Sequence, residues 1–171
     1  MIRLTIKMAL IGAVALIVLG QIVSGLSFYP YYYTYGNPLV VHSPGQYVTG
    51  YGEGLDQAAA YLAQKQDSDG LRVFAYSGMG PFSYFFPGRT EVMKKAYFWE
   101  PGIPSVVSGM RWSEYVVVYS VVQETLPECA TFLEAMKDVK PEHVVTLYGV
   151  EVARIYRTAD IPESVYEALA K

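Results

Sequence analysis

Two acidic side chains are the strongest candidates for chemistry in this chain of 171 residues. Glu53 and Asp56 lie three positions apart at the start of a predicted helix, so both carboxylates can face one way and act as a general acid and base. The same spacing is typical of acidic residues that cap a helix and face solvent. We favour the capping interpretation and predict no catalytic residue.

A glycine-rich segment, Gly50-Tyr51-Gly52-Glu53-Gly54, superficially resembles a phosphate-binding loop. It has neither the G-x-G-x-x-G spacing after a strand nor the lysine of a Walker motif, so a turn into a helix is the better interpretation. The pairs Ser77-Gly78 and Ser108-Gly109 also lack the G-x-S-x-G pattern of a nucleophile elbow.

The two histidines, His42 and His143, are isolated, and neither has a pair of carboxylates nearby in the sequence. We therefore expect no metal site and no cofactor. Trp99, Trp112 and the tyrosine-rich loops could stack on sugars, but packing in a core or at a membrane interface is the favoured interpretation. A glycan partner is thus possible but unsupported.

Composition excludes some classes of partner. The net charge is −3 and the isoelectric point is about 5.4, so no nucleic-acid partner is expected. There is no basic run that would attract anionic lipid. Cys129 is the single cysteine and cannot form an internal disulfide, so we interpret it as a small buried hydrophobic residue.

One apolar span, Met8 to Phe28, dominates the N-terminal part. About 20 apolar residues suffice for a helix that crosses a bilayer. Arg3 and Lys7 precede the span, so the positive-inside rule predicts a cytoplasmic N-terminus and residues 29–171 outside the cell membrane. A cleaved signal peptide is the alternative, but the span is longer than the usual apolar region of about 7–15 residues.

Two sets of residues are assigned to the membrane segment. The first is an aromatic belt at the outer interface, where tyrosine places an apolar ring beside a wet hydroxyl: Phe28, Tyr29, Tyr31, Tyr32, Tyr33 and Tyr35. The second contains small residues that allow close approach of another helix: Gly12, Ala13, Ala15, Gly20 and Gly25.

The remaining chain predicts a small α/β or α+β domain with packed helices and a mixed sheet. Helical spacing indicates a helix over 55–65, and another is predicted over 128–137. Strands are predicted over 71–76 and 115–119, and a hairpin over 143–156. Residues 77–90 are predicted to form a loop with aromatic anchors or a short irregular helix. We divide the chain into 1–28, the cytoplasmic N-terminus and transmembrane helix, 29–50, the interface segment and linker, and 51–171, the extracytoplasmic domain.

The sequence resembles the C-terminal end of polytopic glycosyltransferases of the dolichyl- or polyprenyl-phosphate-mannose protein mannosyltransferase type. The resemblance spans nearly the whole chain. It rests on YPYYYTYGNPL at 29–39, GEGLDQAAAYL at 52–62, YVVVY at 115–119, PEHVV at 141–145 and GVEVARIY at 149–156. It implies that these segments follow a last membrane helix and form an extracytoplasmic domain.

The resemblance also implies that the catalytic residues of the family have no counterpart in this sequence. The catalytic acidic residues of that family lie in the first external loop, and no position of this sequence matches them. Gly36 and Tyr51 depart from the aromatic and the tryptophan that the family often has there. The chain therefore looks like a detached C-terminal module, and its positive N-terminal region after Met1 leads us to expect a separate gene product.

Three functions remain open. We expect a non-catalytic, single-pass accessory subunit of a larger membrane protein complex, such as a photosynthetic or respiratory one, with the lipid bilayer as its other partner. The alternative is the detached C-terminal subunit of a split polyprenyl-phosphate-sugar-dependent glycosyltransferase. A free-standing carbohydrate-binding module that uses tyrosine and tryptophan faces is the third.

Overall fold

The fold is described from a computed structural model, which describes residues 2–34, 52–76, 81–93, 104–119 and 130–170. The chain divides into two compact units, Met1–Thr49 and Gly50–Lys171.

The first unit is built on one long helix, α1 (Ile2–Leu26), which is followed by a short 3-10 turn at Tyr32–Thr34. In the described part of the chain, α1 is the one helix long and apolar enough to cross a membrane, over the 22 residues Thr5–Leu26. Its apolar side chains are exposed all around the helix axis. A helix that is apolar on every side has no polar face to turn toward water.

The second unit is a mixed α/β domain with a five-stranded sheet in the order β2-β1-β3-β5-β4. The first three strands are parallel, and β5 runs antiparallel to both of its neighbours. Their bounds are β1 Arg72–Tyr76, β2 Arg89–Met93, β3 Tyr115–Tyr119, β4 His143–Leu147 and β5 Val150–Arg157.

Five α-helices accompany the sheet in the described part of the domain: α2 Leu55–Ala63, α3 Pro81–Phe85, α4 Pro104–Trp112, α5 Ala130–Met136 and α6 Glu163–Leu169. Helices α2 and α3 pack together on one face, and α4 and α6 lie on the other, with α5 against α6. The two faces follow from the alternation of strand side chains. Tyr119 on β3 points to the α2 side, whereas Phe74 on β1 points to α4, where it fills the space beside Gly109.

The hairpin of β4 and β5 turns through Tyr148 and Gly149, both of which have positive φ. Such a two-residue turn matches the right-handed twist of the strands. The register shifts between Val145 and Thr146, where Val152 is the extra residue of a β-bulge. The bulge turns Val152 toward the start of α2.

The predicted fold class, an apolar N-terminal helix followed by a mixed α/β domain, is confirmed. Strand β3 has the predicted bounds, the hairpin is present, and 81–85 is the short helix. The predicted helix over 55–65 ends earlier, at Ala63. The predicted helix over 128–137 is present over Ala130–Met136, and positions 128 and 129 lie outside the described residues. Helices α4 and α6 were not predicted.

Candidate functional site

The strand order has one reversal point, between two of its parallel strands. After β1 the chain continues to β2 on one side of β1, and then crosses to β3 on the other side. The strand order therefore reverses between β1 and β3. Ligands of open α/β sheets bind outside the carboxyl ends of the strands at such a reversal. Tyr76 and Tyr119 end these two strands. The strand order therefore favours a ligand site at this edge of the sheet.

A buried pair, Glu53 and Tyr119, lies at this edge. The Tyr119 hydroxyl donates a hydrogen bond to Oε2 of Glu53, and it accepts one from the backbone N–H of Gly52 at 3.1 Å. Glu53 is 0% exposed and Tyr119 is 1% exposed. Burying a carboxylate is costly unless hydrogen bonds replace its water. The pair thus ties the segment before α2 to the end of β3.

The sequence Gly52-Glu53-Gly54 explains how the carboxylate reaches the interior. Gly52 and Gly54 have φ values of 102° and 81°, a backbone conformation that only glycine adopts without cost. A Cβ on Gly54 would lie 2.6 Å from Cγ2 of Val152. The two glycines therefore form a tight turn pressed against β5, and the residue between them points inward.

Burial and hydrogen bonding determine the protonation state of Tyr119 in this pair. Burial, and then the hydrogen bond to Glu53, raise the pKa of Tyr119 well above the usual value of a phenol. Tyr119 therefore keeps its proton at physiological pH and acts as a donor. Since neither side chain reaches solvent, the contact holds α2 in place and does not present an acid or a base to a ligand.

A second polar cluster lies at the opposite end of α2. The Nζ of Lys65 lies 2.5 Å from Oε1 of Glu142, and the Tyr61 hydroxyl donates to the same oxygen at 2.8 Å. The ring of His143 stacks on Tyr61, with centroids 4.0 Å apart. The cluster fastens the end of α2 to the first residues of β4.

Charge pairing dominates this second cluster. Burial raises the pKa of Glu142, but the hydrogen bonds from Lys65 and Tyr61 outweigh it, so the net pKa is lowered. The hydrogen bond to Glu142 raises the pKa of Lys65 above its usual value. Both groups are therefore charged at neutral pH and satisfy each other.

A third contact joins the starts of β1 and β3. Arg72 pairs with Glu114 through its guanidinium, and its backbone N–H donates to Oε2 of Glu114 at 2.7 Å. The N–H of Glu114 donates to the Arg72 carbonyl at 2.8 Å. The guanidinium carbon also lies 5.4 Å from the ring of Trp112. This contact fixes the parallel register of the two strands.

The structure separates the predicted acidic pair. Glu53 is buried on Tyr119, whereas Asp56 is partly exposed in the first turn of α2. The expectation that Glu53 caps the helix on a solvated face is wrong, because the N-cap is Gly54 and Glu53 lies in the core. Tyr119 had been interpreted only as part of a strand, so sequence reasoning missed its role.

The remaining candidate residues are not brought together into one site. Ser108 is exposed on α4, and Trp112 is exposed beside Arg72. No group of three or more potential metal ligands occurs among the residues that the structure describes. His42, Gly50, Tyr51, Ser77, Gly78, Trp99 and Cys129 lie outside the described residues.

The predicted interface residues split into two kinds. Phe28 and Tyr31 are buried, whereas Tyr29 and Tyr32 are exposed with their rings 5.9 Å apart, edge to face. The Tyr33 side chain and Tyr35 lie outside the described part. Placement of this set at a membrane interface stays a prediction.

The small residues assigned to helix contact lie on an open surface of α1. Ala13 and Ala15 are exposed, and a Cβ on Gly12, Gly20 or Gly25 would meet nothing within 4 Å. There is space for another helix to approach, and such a contact stays a prediction.

Comparison with known proteins adds no family: no family model matches the sequence, and no curated protein and no solved structure matches it significantly.

Proposed function

We propose that the chain is a single-pass membrane protein, with a cytoplasmic N-terminus, whose α/β domain is a non-catalytic accessory subunit of a larger membrane protein complex. The observation that carries the proposal is the exposure of apolar side chains around the whole of α1. Leaving one leucine, isoleucine or valine in water costs about 1.5–3 kcal/mol relative to burial. A lipid bilayer removes that cost for the whole span.

The polar contacts of the domain support a structural role. Glu53, the most buried carboxylate among the described residues of the domain, holds α2 on β3. The pairs Lys65–Glu142 and Arg72–Glu114 join elements that are distant in sequence. These contacts hold the elements of the domain in fixed positions. A subunit that docks on other proteins requires such a fixed surface.

Membrane insertion is tested first, by alkaline extraction of membranes that contain the full chain. The wild-type chain should stay in the membrane fraction. Val14→Arg places a charge near the centre of the span, where it costs about 2.5–3.5 kcal/mol, and should reduce retention. Thr5→Arg, at the edge of the span, is the matched control and should be retained. Release of the wild-type chain would refute the anchor.

The accessory role is tested by pulling on a C-terminal tag after gentle solubilisation and identifying co-purifying proteins by mass spectrometry. A stoichiometric complex without a transferase supports the proposal. Recovery of the chain alone, while it is still retained in membranes, would refute the accessory role and leave the anchor intact.

A second candidate is the detached subunit of a split polyprenyl-phosphate-sugar-dependent glycosyltransferase. The observation that favours it is that three segments carrying the family resemblance pack on one another. Glu53 in 52–62 contacts Tyr119 in 115–119, and Tyr61 in the first segment contacts Glu142 in 141–145. Co-purification of a polytopic transferase that lacks this domain would favour this candidate over the first.

A further inference from the structure

We propose that the α/β domain rests on the bilayer surface through two aromatic side chains of α3, Tyr84 and Phe85. This inference rests on the proposed membrane anchor. Tyr84 is 82% exposed and Phe85 is 54% exposed. In the described part of the domain, Trp112 is the one other exposed large hydrophobic residue.

Buried phenylalanine rings support the exposed pair. Phe82 in the same short helix and Phe86, which directly follows it, are buried with their rings 5.3 Å apart. Gly88 then closes the turn, since a Cβ there would lie 2.5 Å from the Leu71 carbonyl oxygen. The exposed rings of Tyr84 and Phe85 lie edge to face, 4.9 Å apart. Little conformational entropy is therefore lost when this surface binds.

The chemistry of the pair suits a lipid headgroup region. A tyrosine ring is apolar and its hydroxyl is polar, which is why tyrosine is enriched at membrane interfaces. Ser83 and Arg89 are exposed nearby in the sequence and can accept a polar, phosphate-rich environment. Helix α3 thus presents apolar rings flanked by polar groups, a pattern that suits shallow insertion into the headgroup region.

The size of the surface favours lipid over protein. A stable protein interface buries about 800 Å² on each partner. Two aromatic side chains bury about 150–250 Å² each, which falls short of that area. A membrane contact needs no such area when the domain is already tethered, because the tether supplies a high effective concentration.

The tether is long enough for this contact. Residues 35–51 connect the described end of the first unit to the described start of the domain. Seventeen residues span at most about 60 Å when fully extended. This upper limit does not prevent the aromatic pair of α3 from reaching the bilayer.

The test measures the depth of a nitroxide label beside the aromatic pair. The full chain with Cys129→Ser is reconstituted in phosphatidylcholine vesicles, and Ser83→Cys carries the label, so Tyr84 and Phe85 stay intact. Accessibility to oxygen, which concentrates in lipid, is compared with accessibility to a water-soluble nickel chelate. Ser164→Cys, exposed on α6 at the other face of the sheet, is the matched control.

We expect the label at position 83 to be severalfold more protected from nickel than the label at 164, and more accessible to oxygen. Replacing both Tyr84 and Phe85 by serine should return position 83 to the values of position 164. Equal nickel accessibility at 83 and 164 in the unaltered background would overturn the proposal. So would protection of position 83 from both reagents, which would indicate a contact between protein chains.

A label at Val14→Cys separates the two proposals. If position 14 is in lipid and position 83 is in water, the anchor stands and the surface contact is refuted. If position 14 is accessible to nickel, the anchor itself is refuted, and the surface contact with it.

Discussion

The Tyr119 hydroxyl at the end of β3 donates a hydrogen bond to the carboxylate of Glu53, 66 positions earlier in the chain. The same oxygen accepts the N–H of Gly52. A single phenol therefore satisfies one buried carboxylate and one backbone donor at the entrance to α2. Each of these two groups would lose this hydrogen bond if the phenol hydroxyl were removed.

Replacing Tyr119 by phenylalanine should destabilise the domain by about 1–3 kcal/mol, because the buried Glu53 carboxylate loses a donor and the partly buried N–H of Gly52 loses its acceptor. Chemical unfolding of the full chain in detergent micelles measures the change. Tyr84→Phe is the control: its hydroxyl lies on an exposed side chain, and the effect should stay within about 0.5 kcal/mol.

Combining Tyr119→Phe with Glu53→Gln tests the contact itself. The two changes should not be additive, since residues in one hydrogen bond couple by about 0.5–3 kcal/mol. If the two losses simply add, the contact between these side chains is not what stabilises the turn.

Replacing Gly54 by alanine should destabilise the domain more than replacing Gly149 does. Both glycines have positive φ, 81° and 79°, so both variants carry a backbone cost of about 1 kcal/mol. Only Gly54 faces Val152, so only Gly54→Ala adds a packing cost of about 1–3 kcal/mol. Equal midpoints of thermal unfolding for the two variants would argue against the close approach of this turn to β5.

Replacing Gly109 by alanine should also be unfavourable, although alanine is the better helix former. The new Cβ would clash with the ring of Phe74, and overpacking costs about 1–3 kcal/mol against a gain in helix propensity of about 1 kcal/mol. Gly70→Ala, where a Cβ meets nothing within 4 Å, is the comparison. Stabilisation by Gly109→Ala would mean that α4 can move away from β1.

The domain should lose stability in acid partly through Glu114. The hydrogen bond from Arg72 lowers the pKa of this carboxyl below its ordinary 4.5. A group with a lowered folded-state pKa contributes stability above pH 4.5, and that contribution disappears as the pH falls through the folded-state value. Because the side chain is 39% exposed, solvent screening limits the effect to about 1 kcal/mol or less.

Glu114→Gln should therefore make the free energy of unfolding depend less steeply on pH below 4.5. Urea unfolding between neutral and acidic pH measures this slope. Glu167→Gln, which removes a carboxylate at an exposed site on α6, is the matched control. A slope for Glu114→Gln equal to that of the wild type would show that the Arg72 pair does not survive in solution.

The parts of the fold with strong local signals could be predicted from sequence. The β-branched and aromatic run at Tyr115–Tyr119 predicts a strand, and Tyr148-Gly149 between two such runs predicts a hairpin. Helix α4 lacks such a signal, because Val106, Val107 and Gly109 all lower helix propensity. It forms because Val106 and Met110, one turn apart, are both buried.

The buried pair could be predicted only in part. The two glycines around Glu53 indicate a tight turn, and that turn is present. Local patterns do not show which of the acidic residues points inward, because the partner of Glu53 lies on a strand that is distant in sequence. The strand order, which brings Tyr119 to that place, is likewise set by long-range packing.

The position of β5 determines when the domain can form during synthesis. β5 lies between β3 and β4, and Tyr61 on α2 contacts Glu142, 81 positions later in the chain. Contacts of such separation form slowly and only after both segments are available. The apolar helix α1 therefore emerges from the ribosome long before the sheet can close. The domain can therefore complete its sheet only after β5 has been synthesised.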